Sequence, residues 1–89
     1  MKIKNSLRKD IGLFLRESRK KKSLSANQLG SLVHLSQQQV SRYELGITTI
    51  SIEMLNVFLI ALDKNWSDFF FSVMADYSDE IKELKTGYY

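Results

Sequence analysis

The sequence contains no cysteine and no proline, and only four of its 89 residues are glycine. Without cysteine the chain can form neither disulfides nor thiolate metal sites, which suits a reducing cytoplasm. Because proline is absent and glycine is sparse, little interrupts helices, and we expect an all-α fold. No segment approaches the roughly 20 apolar residues that a membrane span requires. No apolar stretch with a cleavage site follows the basic start, so we expect a soluble, unprocessed, cytoplasmic chain.

The motifs of catalysis and cofactor binding are missing too. The sequence has no HExxH motif, no recognisable pair of nucleophile and base, and no glycine-rich phosphate loop, since its four glycines are isolated. It has one histidine, His34, and a single histidine does not make a metal site or a catalytic site. These absences predict a protein that is not an enzyme and that uses no cofactor, metal or small-molecule ligand.

The chain does contain enough apolar material for one small domain and a tail. Apolar residues make up 44% of the sequence and aromatic residues 11%, which is too much for an intrinsically disordered chain. With 89 residues in total, a second domain of ordinary size has no room.

Charge is distributed unevenly along the chain. The formal net charge is only +3, but residues 1–22 carry nine basic side chains against two acids. Residues 23–62 hold only three charged side chains, and residues 63–89 hold six acids against three lysines. A positive field at one end is typical of a domain that docks on a polyanion, and the alternative is a solvated basic helix.

One local pattern occurs three times. An apolar residue precedes a serine, and a second apolar residue follows that serine by four positions, in segments 24–29 (LSANQL), 35–40 (LSQQQV) and 50–55 (ISIEML). The two apolar residues can pack together around a serine N-cap, and in the first two segments a glutamine completes a capping box. The pattern predicts helix starts at about Ala26, Gln37 and Ile52.

Apolar residues at helical spacing predict one helix before these three, with Asn5 or Ser6 as its N-cap, and one after them. The last begins near Trp66 or Ser67, where serine offers an N-cap and Asp68 suits the positive end of the helix dipole. The five predicted helices cover residues 6–21, 26–33, 37–45, 52–62 and 67–71. We expect a basic arm (1–5), a compact domain (6–71) and a tail with a short helical pattern (72–89).

The second and third predicted helices are short and separated by a very tight turn, so they must cross steeply, as in a helix-turn-helix. Residues 24–46 (LSANQLGSLVHLSQQQVSRYELG) resemble the DNA-binding domain of the phage repressor and Cro type, also called XRE-type. In this resemblance Gly30 is the small residue at the crossing of the two helices. The resemblance extends over about residues 11–70 and implies a five-helix repressor-like domain of a bacterial transcriptional regulator, with double-stranded DNA as its partner.

The resemblance gives two positions a structural role. His34 stands where family members commonly have glycine in a left-handed turn, and histidine tolerates positive φ better than most residues, so we expect a strained helix end. In the family, an arginine late in the first helix pairs with a glutamate near the end of the third, and the matching residues are Arg19 and Glu44. We therefore expect Arg19 to form a structural ion pair rather than to contact DNA.

The resemblance also assigns base reading to the third helix, whose first turn enters the major groove. The matching readers are Gln37, Gln38 and Arg42, with Ser41 beside them. The chemistry agrees, because glutamine can hold adenine, and arginine guanine, through two hydrogen bonds. Gln39 can be a contact or the closing residue of the capping box, and the cap is favoured. The alternative for the whole glutamine run is a polar helix surface.

Phosphate contacts dominate DNA affinity, and two family contacts are missing here. By resemblance, a glutamine contact in the second helix falls on Ala26, and the loop 47–49 lacks the lysines that are common there. We expect neutral donors and the basic end of the first helix to compensate. The expected phosphate-binding residues are Ser25, Asn27, Ser36, Thr48, Thr49, Lys20, Lys21 and Lys22. For the three lysines, the alternative role is to stabilise the carboxyl end of the helix dipole.

The C-terminal part carries more aromatic residues than a domain of about sixty residues can bury. We predict that it closes a homodimer, which would place two recognition helices on half-sites about one helical turn apart. The expected dimer interface consists of Phe70, Phe71, Tyr77, Ile81 and Leu84. Two alternatives stay open: a tail folded over its own core, and an antitoxin-type protein whose tail covers a toxin while its helix-turn-helix autoregulates the operon.

The recognition segment carries a second, narrower resemblance. Residues 36–44 (SQQQVSRYE) are similar to the recognition segment of regulators encoded with fimbrial operons in enterobacteria. That branch switches cells between adhesion and flagellar motility, and the similarity implies a target of this kind.

Overall fold

The computed structural model describes residues 7–75 and 77, and the regular secondary structure of this part is entirely helical. The elements are α1 (Leu7–Lys21), α2 (Ala26–Val33), α3 (Gln37–Glu44), α4 (Ile52–Ala61), α5 (Trp66–Phe69) and a π-helical segment (Phe70–Met74). The expected all-α fold with five helices is confirmed. Within the described residues, no helix is both long enough and apolar enough to cross a membrane.

The starts of α2 and α3 are set by capping boxes. The Ser25 hydroxyl accepts a hydrogen bond from the Gln28 N–H at 3.0 Å, and the Gln28 side chain accepts one from the Ser25 N–H at 2.8 Å. Ser36 and Gln39 repeat the arrangement at 3.1 and 3.0 Å. Ser51 caps α4 through its hydroxyl. Since each cap satisfies backbone donors that a first helical turn leaves unpaired, the three predicted starts are confirmed on their predicted mechanism.

The start of α5 at Trp66 is one of the two expected, but its N-cap is not the expected residue. Its N-cap is Asn65, whose side chain accepts from the Asp68 N–H at 2.8 Å, while the Asp68 carboxylate accepts from the Asn65 N–H at 2.9 Å. The expectation that Ser67 caps this helix is therefore wrong, because Ser67 lies inside the first turn of a capping box. The chain also continues beyond residue 71, as the π-helical segment, to Met74. The expected N-caps of α1 and the helical pattern of residues 78–89 lie outside the described residues.

Four helices end next to a residue in the left-handed backbone conformation. Ser23, His34, Gly46 and Asp63 have φ values of 59°, 61°, 71° and 57°. In each case the N–H of the following residue bonds to the carbonyl five positions earlier, at 2.8 to 3.2 Å. This arrangement ends a helix while satisfying its last carbonyls. Because three of the four residues carry a β-carbon, these ends are strained, and the positive φ expected at His34 is observed.

The core lies between α1, α2, α3 and α4 and is closed by α5 and the π-helical segment. Its buried apolar side chains are Leu15, Leu29, Val33, Val40, Leu55, Phe58, Leu59, Leu62, Phe69 and Val73. The apolar residues that precede the three serine caps, Leu24, Leu35 and Ile50, pack against this core. Each cap is thereby tied to the interior, as the repeated pattern predicts.

Two glycines let backbones approach closely. At Gly12, where α1 meets α3, a β-carbon would lie 2.4 Å from the Glu44 carbonyl oxygen and 2.5 Å from that of Tyr43. At Gly30 in α2, a β-carbon would lie 2.4 Å from the carbonyl oxygen of Leu35, in the turn that leads to α3. Backbone atoms cannot move away as a flexible side chain can, so these two contacts determine how α3 sits against α1 and α2.

Candidate nucleic-acid interface

The three-residue turn between α2 and α3 is held by backbone hydrogen bonds. The N–H groups of His34 and Leu35 both donate to the Gly30 carbonyl, the second at 2.8 Å. The third residue, Ser36, is already the N-cap of α3. The orientation of α3 relative to α2 therefore depends on main-chain geometry and on the absence of a side chain at Gly30.

The first turn of α3 exposes two amide side chains. Gln37 and Gln38 are exposed, and neither side chain makes a hydrogen bond to another residue of the described part. Gln39 is different, because its side chain closes the capping box with Ser36. Two unpaired amides, each with a donor and an acceptor, can match the paired groups on an adenine edge.

The next turn of α3 adds a cation. Arg42 is exposed and forms no ion pair with any acid of residues 7–75 or 77. Ser41, between the amides and Arg42 along the helix, is half-buried. The four expected base-reading residues thus occupy two successive turns of one helix, and the guanidinium can reach the O6 and N7 acceptors of guanine.

The only acid of α3 is neutralised by α1. Arg19 Nε donates to Glu44 Oε2 at 2.7 Å and Arg19 Nη2 donates to Oε1 at 2.9 Å, while Nη1 donates to the Leu24 carbonyl at 2.8 Å. Both side chains are nearly inaccessible, with 11% and 4% of their surface exposed. The hydrogen bond to Glu44 raises the pKa of Arg19, burial lowers it, and Coulombic attraction to the same carboxylate raises it further. The structure brings together the two residues expected to pair, and all three nitrogens of this guanidinium are hydrogen-bonded within the fold.

The neutral side chains expected to bind phosphate lie at two helix starts. Ser25 and Ser36 are exposed N-caps, so each stands where the first N–H groups of a helix point outward. The Ser36 hydroxyl lies 3.2 Å from the Gln39 side-chain oxygen and donates to it. Asn27, in the first turn of α2, is exposed as well. The positive end of a helix dipole favours anions, so the setting of these groups suits a phosphate.

The loop between α3 and α4 carries the other two neutral residues. Thr49 is exposed and its hydroxyl oxygen accepts a long hydrogen bond, 3.5 Å, from Arg8 Nη1 of α1. Thr48 is half-buried. Of the two threonines, only Thr49 thus offers an exposed hydroxyl, with an arginine from another helix beside it.

The three lysines at the end of α1 differ in their surroundings. Lys22 forms an ion pair with Asp63, the residue after the C-cap of α4, so its charge is partly committed within the fold. Lys20 and Lys21 are exposed and pair with no acid among the described residues. Both also lie in the last turn of α1, where a cation is favourable to the dipole. Phosphate binding by Lys20 and Lys21 stays a prediction.

The residues expected at a dimer interface differ in their exposure to solvent. Phe70 and Phe71 are 48% and 73% exposed, and their rings pack edge to face against each other. Tyr77 is buried, and its hydroxyl donates to the Asp10 carboxylate of α1. For Tyr77 this position favours the alternative of a segment packed on its own core. Ile81 and Leu84 lie outside the described residues.

Two contacts near α3 were not anticipated from the sequence. Gly12 gives α3 its close approach to α1, and a glycine in the middle of a helix is the only local sign of such a contact. Arg8 lies next to the loop after α3, although it is 41 positions from Thr49 in the chain. No periodicity in the sequence links two residues at that separation.

The comparisons with known proteins agree with this geometry. A family model described as helix-turn-helix matches residues 15–69. Two similar solved structures are crystal structures of the clp gene regulator ClgR from Corynebacterium glutamicum. One is 25% identical with a TM-score of 0.76 and covers 82% of this chain and 95% of its own. The other is 21% identical with a TM-score of 0.77 and covers 96% of this chain and 90% of its own. At this identity the similarity supports a shared fold and nothing more. Among curated protein sequences none matches significantly.

Proposed function

The chain belongs to the helix-turn-helix family and is a DNA-binding transcriptional regulator, and from this premise we propose that it binds a pseudopalindromic operator as a homodimer. Each protomer inserts α3 into the major groove with its first turn against the base edges. One observation carries the proposal. Gln37, Gln38 and Arg42 are exposed and unpaired on a helix whose third glutamine, Gln39, and only acid, Glu44, are committed to structure.

Sequence readout rests on the chemistry of these exposed groups. Gln37 and Gln38 each offer an amide that can hold adenine, and Arg42 offers a guanidinium that can hold guanine. Because Arg19 neutralises Glu44, α3 presents no uncompensated negative charge to the DNA. Selective hydrogen bonding therefore governs this helix, while affinity comes from groups around it.

The phosphate grip comes from the edges of the helix-turn-helix. The helix starts at Ser25 and Ser36 present backbone N–H groups. Ser25 and Thr49, in the loop after α3, also present hydroxyls. Lys20 and Lys21 add unpaired positive charge from the end of α1. Contacts of this kind position the protein on the duplex without reading its sequence.

Dimerisation is supported by the exposed aromatic pair after α5. Phe70 and Phe71 leave large apolar rings in water, and a two-fold contact between copies would cover them. A dimer would also fix the distance between its two α3 helices, so that they fit half-sites about 34 Å apart, which is one turn of the DNA helix. An antitoxin-type partner chain could cover the same rings, and the mass of the purified protein alone and with a co-encoded protein separates the two.

The genes controlled are a further part of the proposal. The similarity of residues 36–44 to regulators encoded with fimbrial operons supports a target operon of that kind. The name of ClgR describes that protein as a regulator of clp genes, and the sequence of α3 gives no reason to transfer that target.

Selection of bound sites from a random duplex library tests the proposed function. We expect the selected sequences to share a palindrome or pseudopalindrome whose half-sites are about 10 base pairs apart. A set of sequences without a common motif, although binding is strong, would mean that the chain grips DNA without reading it. No binding at low salt would contradict the function itself.

A further inference from the structure

The loop that follows the recognition helix is entirely uncharged. From residue 45 to residue 52 the sequence is LGITTISI, without a single lysine or arginine. In the proposed docking this loop borders the phosphate backbone, where neutralisation of charge supplies most of the affinity. The loop itself can offer only hydroxyls, such as that of Thr49, so any cation there must come from another element.

The first turn of α1 lies directly against this loop. Arg8 Nη1 is 3.5 Å from Thr49 Oγ1. One residue further, the Lys9 main chain packs on Gly46, where a β-carbon would lie 2.7 Å from the Lys9 Cα. The absence of a side chain at Gly46 therefore allows α1 to bring its cations to the end of α3.

The charge of Arg8 is available to a ligand. The side chain is exposed and forms no ion pair with the acids of residues 7–75 or 77. Its hydrogen bond to Thr49 is at the long limit for such a bond and uses one of five guanidinium N–H donors. Lys22 provides the contrast, because Asp63 already pairs with it.

We propose that Arg8 binds a phosphate of the DNA backbone and supplies the positive charge that the α3–α4 loop lacks. Thr49 orients the guanidinium above the loop, and the remaining donors form the two-pronged contact that suits a phosphate. This inference rests on the proposed function, since it adds a contact to the same interface. The phosphate grip then comes from both ends of α1 rather than from its lysine-rich end alone.

The salt dependence of binding to a duplex of random sequence tests this contact, because a phosphate contact does not depend on base sequence. The variant is Arg8→Gln, which removes the charge and keeps the length. The matched control is Arg16→Gln, an exposed arginine of the same helix, two turns away, that also has no ion pair in the described part. Both variants lower the net charge equally, so a general change in the field affects both alike. Equal melting temperatures establish that both remain folded.

We expect Arg8→Gln to reduce the slope of log K against log salt by about 0.9 for each phosphate that is no longer neutralised, and Arg16→Gln to leave it unchanged. Between 50 and 200 mM salt, the variant should lose about 3-fold less affinity than the wild type. Equal slopes for the two variants, while the wild type binds DNA, would overturn this inference alone. A wild-type chain that binds no duplex would overturn the proposed function with it.

Discussion

Arg19 holds both carboxylate oxygens of Glu44, at 2.7 and 2.9 Å, and with its remaining nitrogen it holds the carbonyl of Leu24. One side chain thereby joins α1, the turn after it and the end of α3. Since both charged groups are almost fully removed from water, neither can find another partner without rearrangement. The pair therefore helps to fix the position of α3 against α1.

Replacing Arg19 with alanine should lower the free energy of unfolding by about 3 kcal/mol, because Glu44 is then buried without a partner. Urea unfolding measures the change. Arg16→Ala, at an exposed site of the same helix, should stay within about 0.5 kcal/mol of wild type. Replacing the pair together, by Arg19→Met with Glu44→Leu, should recover much of the loss, since no charge is left buried. A loss at Arg19 no larger than at Arg16 would contradict the structural role.

Gly12→Ala should destabilise the protein although alanine is the better helix former. Helix propensity favours the alanine by about 1 kcal/mol. The added methyl group, however, would meet the carbonyl oxygens of Tyr43 and Glu44 at about half an ångström less than any tolerated contact. We expect a net loss of about 1–2 kcal/mol in urea unfolding, since overpacking against backbone is not easily relieved. A gain in stability would show that α1 and α3 are not in such close contact.

His34→Gly should stabilise the protein by about 0.5–1 kcal/mol, because the residue has φ 61° and ψ 41° and glycine adopts this conformation without the β-carbon clash. His34→Ala is the matched control, since it removes the imidazole but keeps the β-carbon. Thermal unfolding of the two variants should separate them, with only the glycine variant above wild type. Equal melting temperatures for both would mean that strain at this helix end is negligible.

The parts of the fold that local chemistry determines could be predicted from the sequence. The starts of α2 and α3 follow from capping boxes within four residues. The positive φ of His34, by contrast, was available only through the family resemblance. The N-cap of α5 was mispredicted because serine, asparagine and aspartate are all good cap residues, and they lie together at residues 65–68. Only the reciprocal bonds of Asn65 and Asp68 decide between them.

Contacts between distant residues could not be predicted in this way. The Arg19 and Glu44 pairing was available only through the family resemblance, and the contact of Arg8 with Thr49 was not available at all. Composition indicated surplus aromatic residues but not which of them are exposed. Phe69 is buried while its neighbours Phe70 and Phe71 are not, because only the packed helices determine which side of the chain faces the core.

Phe71→Glu should convert the proposed homodimer to a monomer without affecting the fold, because the ring is 73% exposed in the single chain. A charge at a two-fold contact is placed opposite its own copy, which is unfavourable. Light scattering measures the mass, and Leu32→Glu, at an exposed leucine of α2, is the control that should remain dimeric. If the wild type is monomeric and associates only with a co-encoded protein, the antitoxin-type alternative replaces the homodimer.

Gln37 and Gln39 both lie in the first turn of α3, and we expect them to have different roles. Gln39→Ala should cost roughly 0.5–1 kcal/mol of stability, because it opens the capping box, and should leave sequence preference unchanged. Circular dichroism during urea unfolding measures the first effect. Gln37→Ala, at an exposed and unpaired side chain, should have the opposite profile, with little change in stability.

The most direct test is the affinity of Gln37→Ala for a selected operator and for random duplex at one fixed salt concentration. If α3 reads bases through this amide, affinity for the selected operator falls by about 1–3 kcal/mol while affinity for random duplex stays the same. An equal loss on both duplexes, or no loss on either, would contradict the central claim that the first turn of α3 reads the sequence.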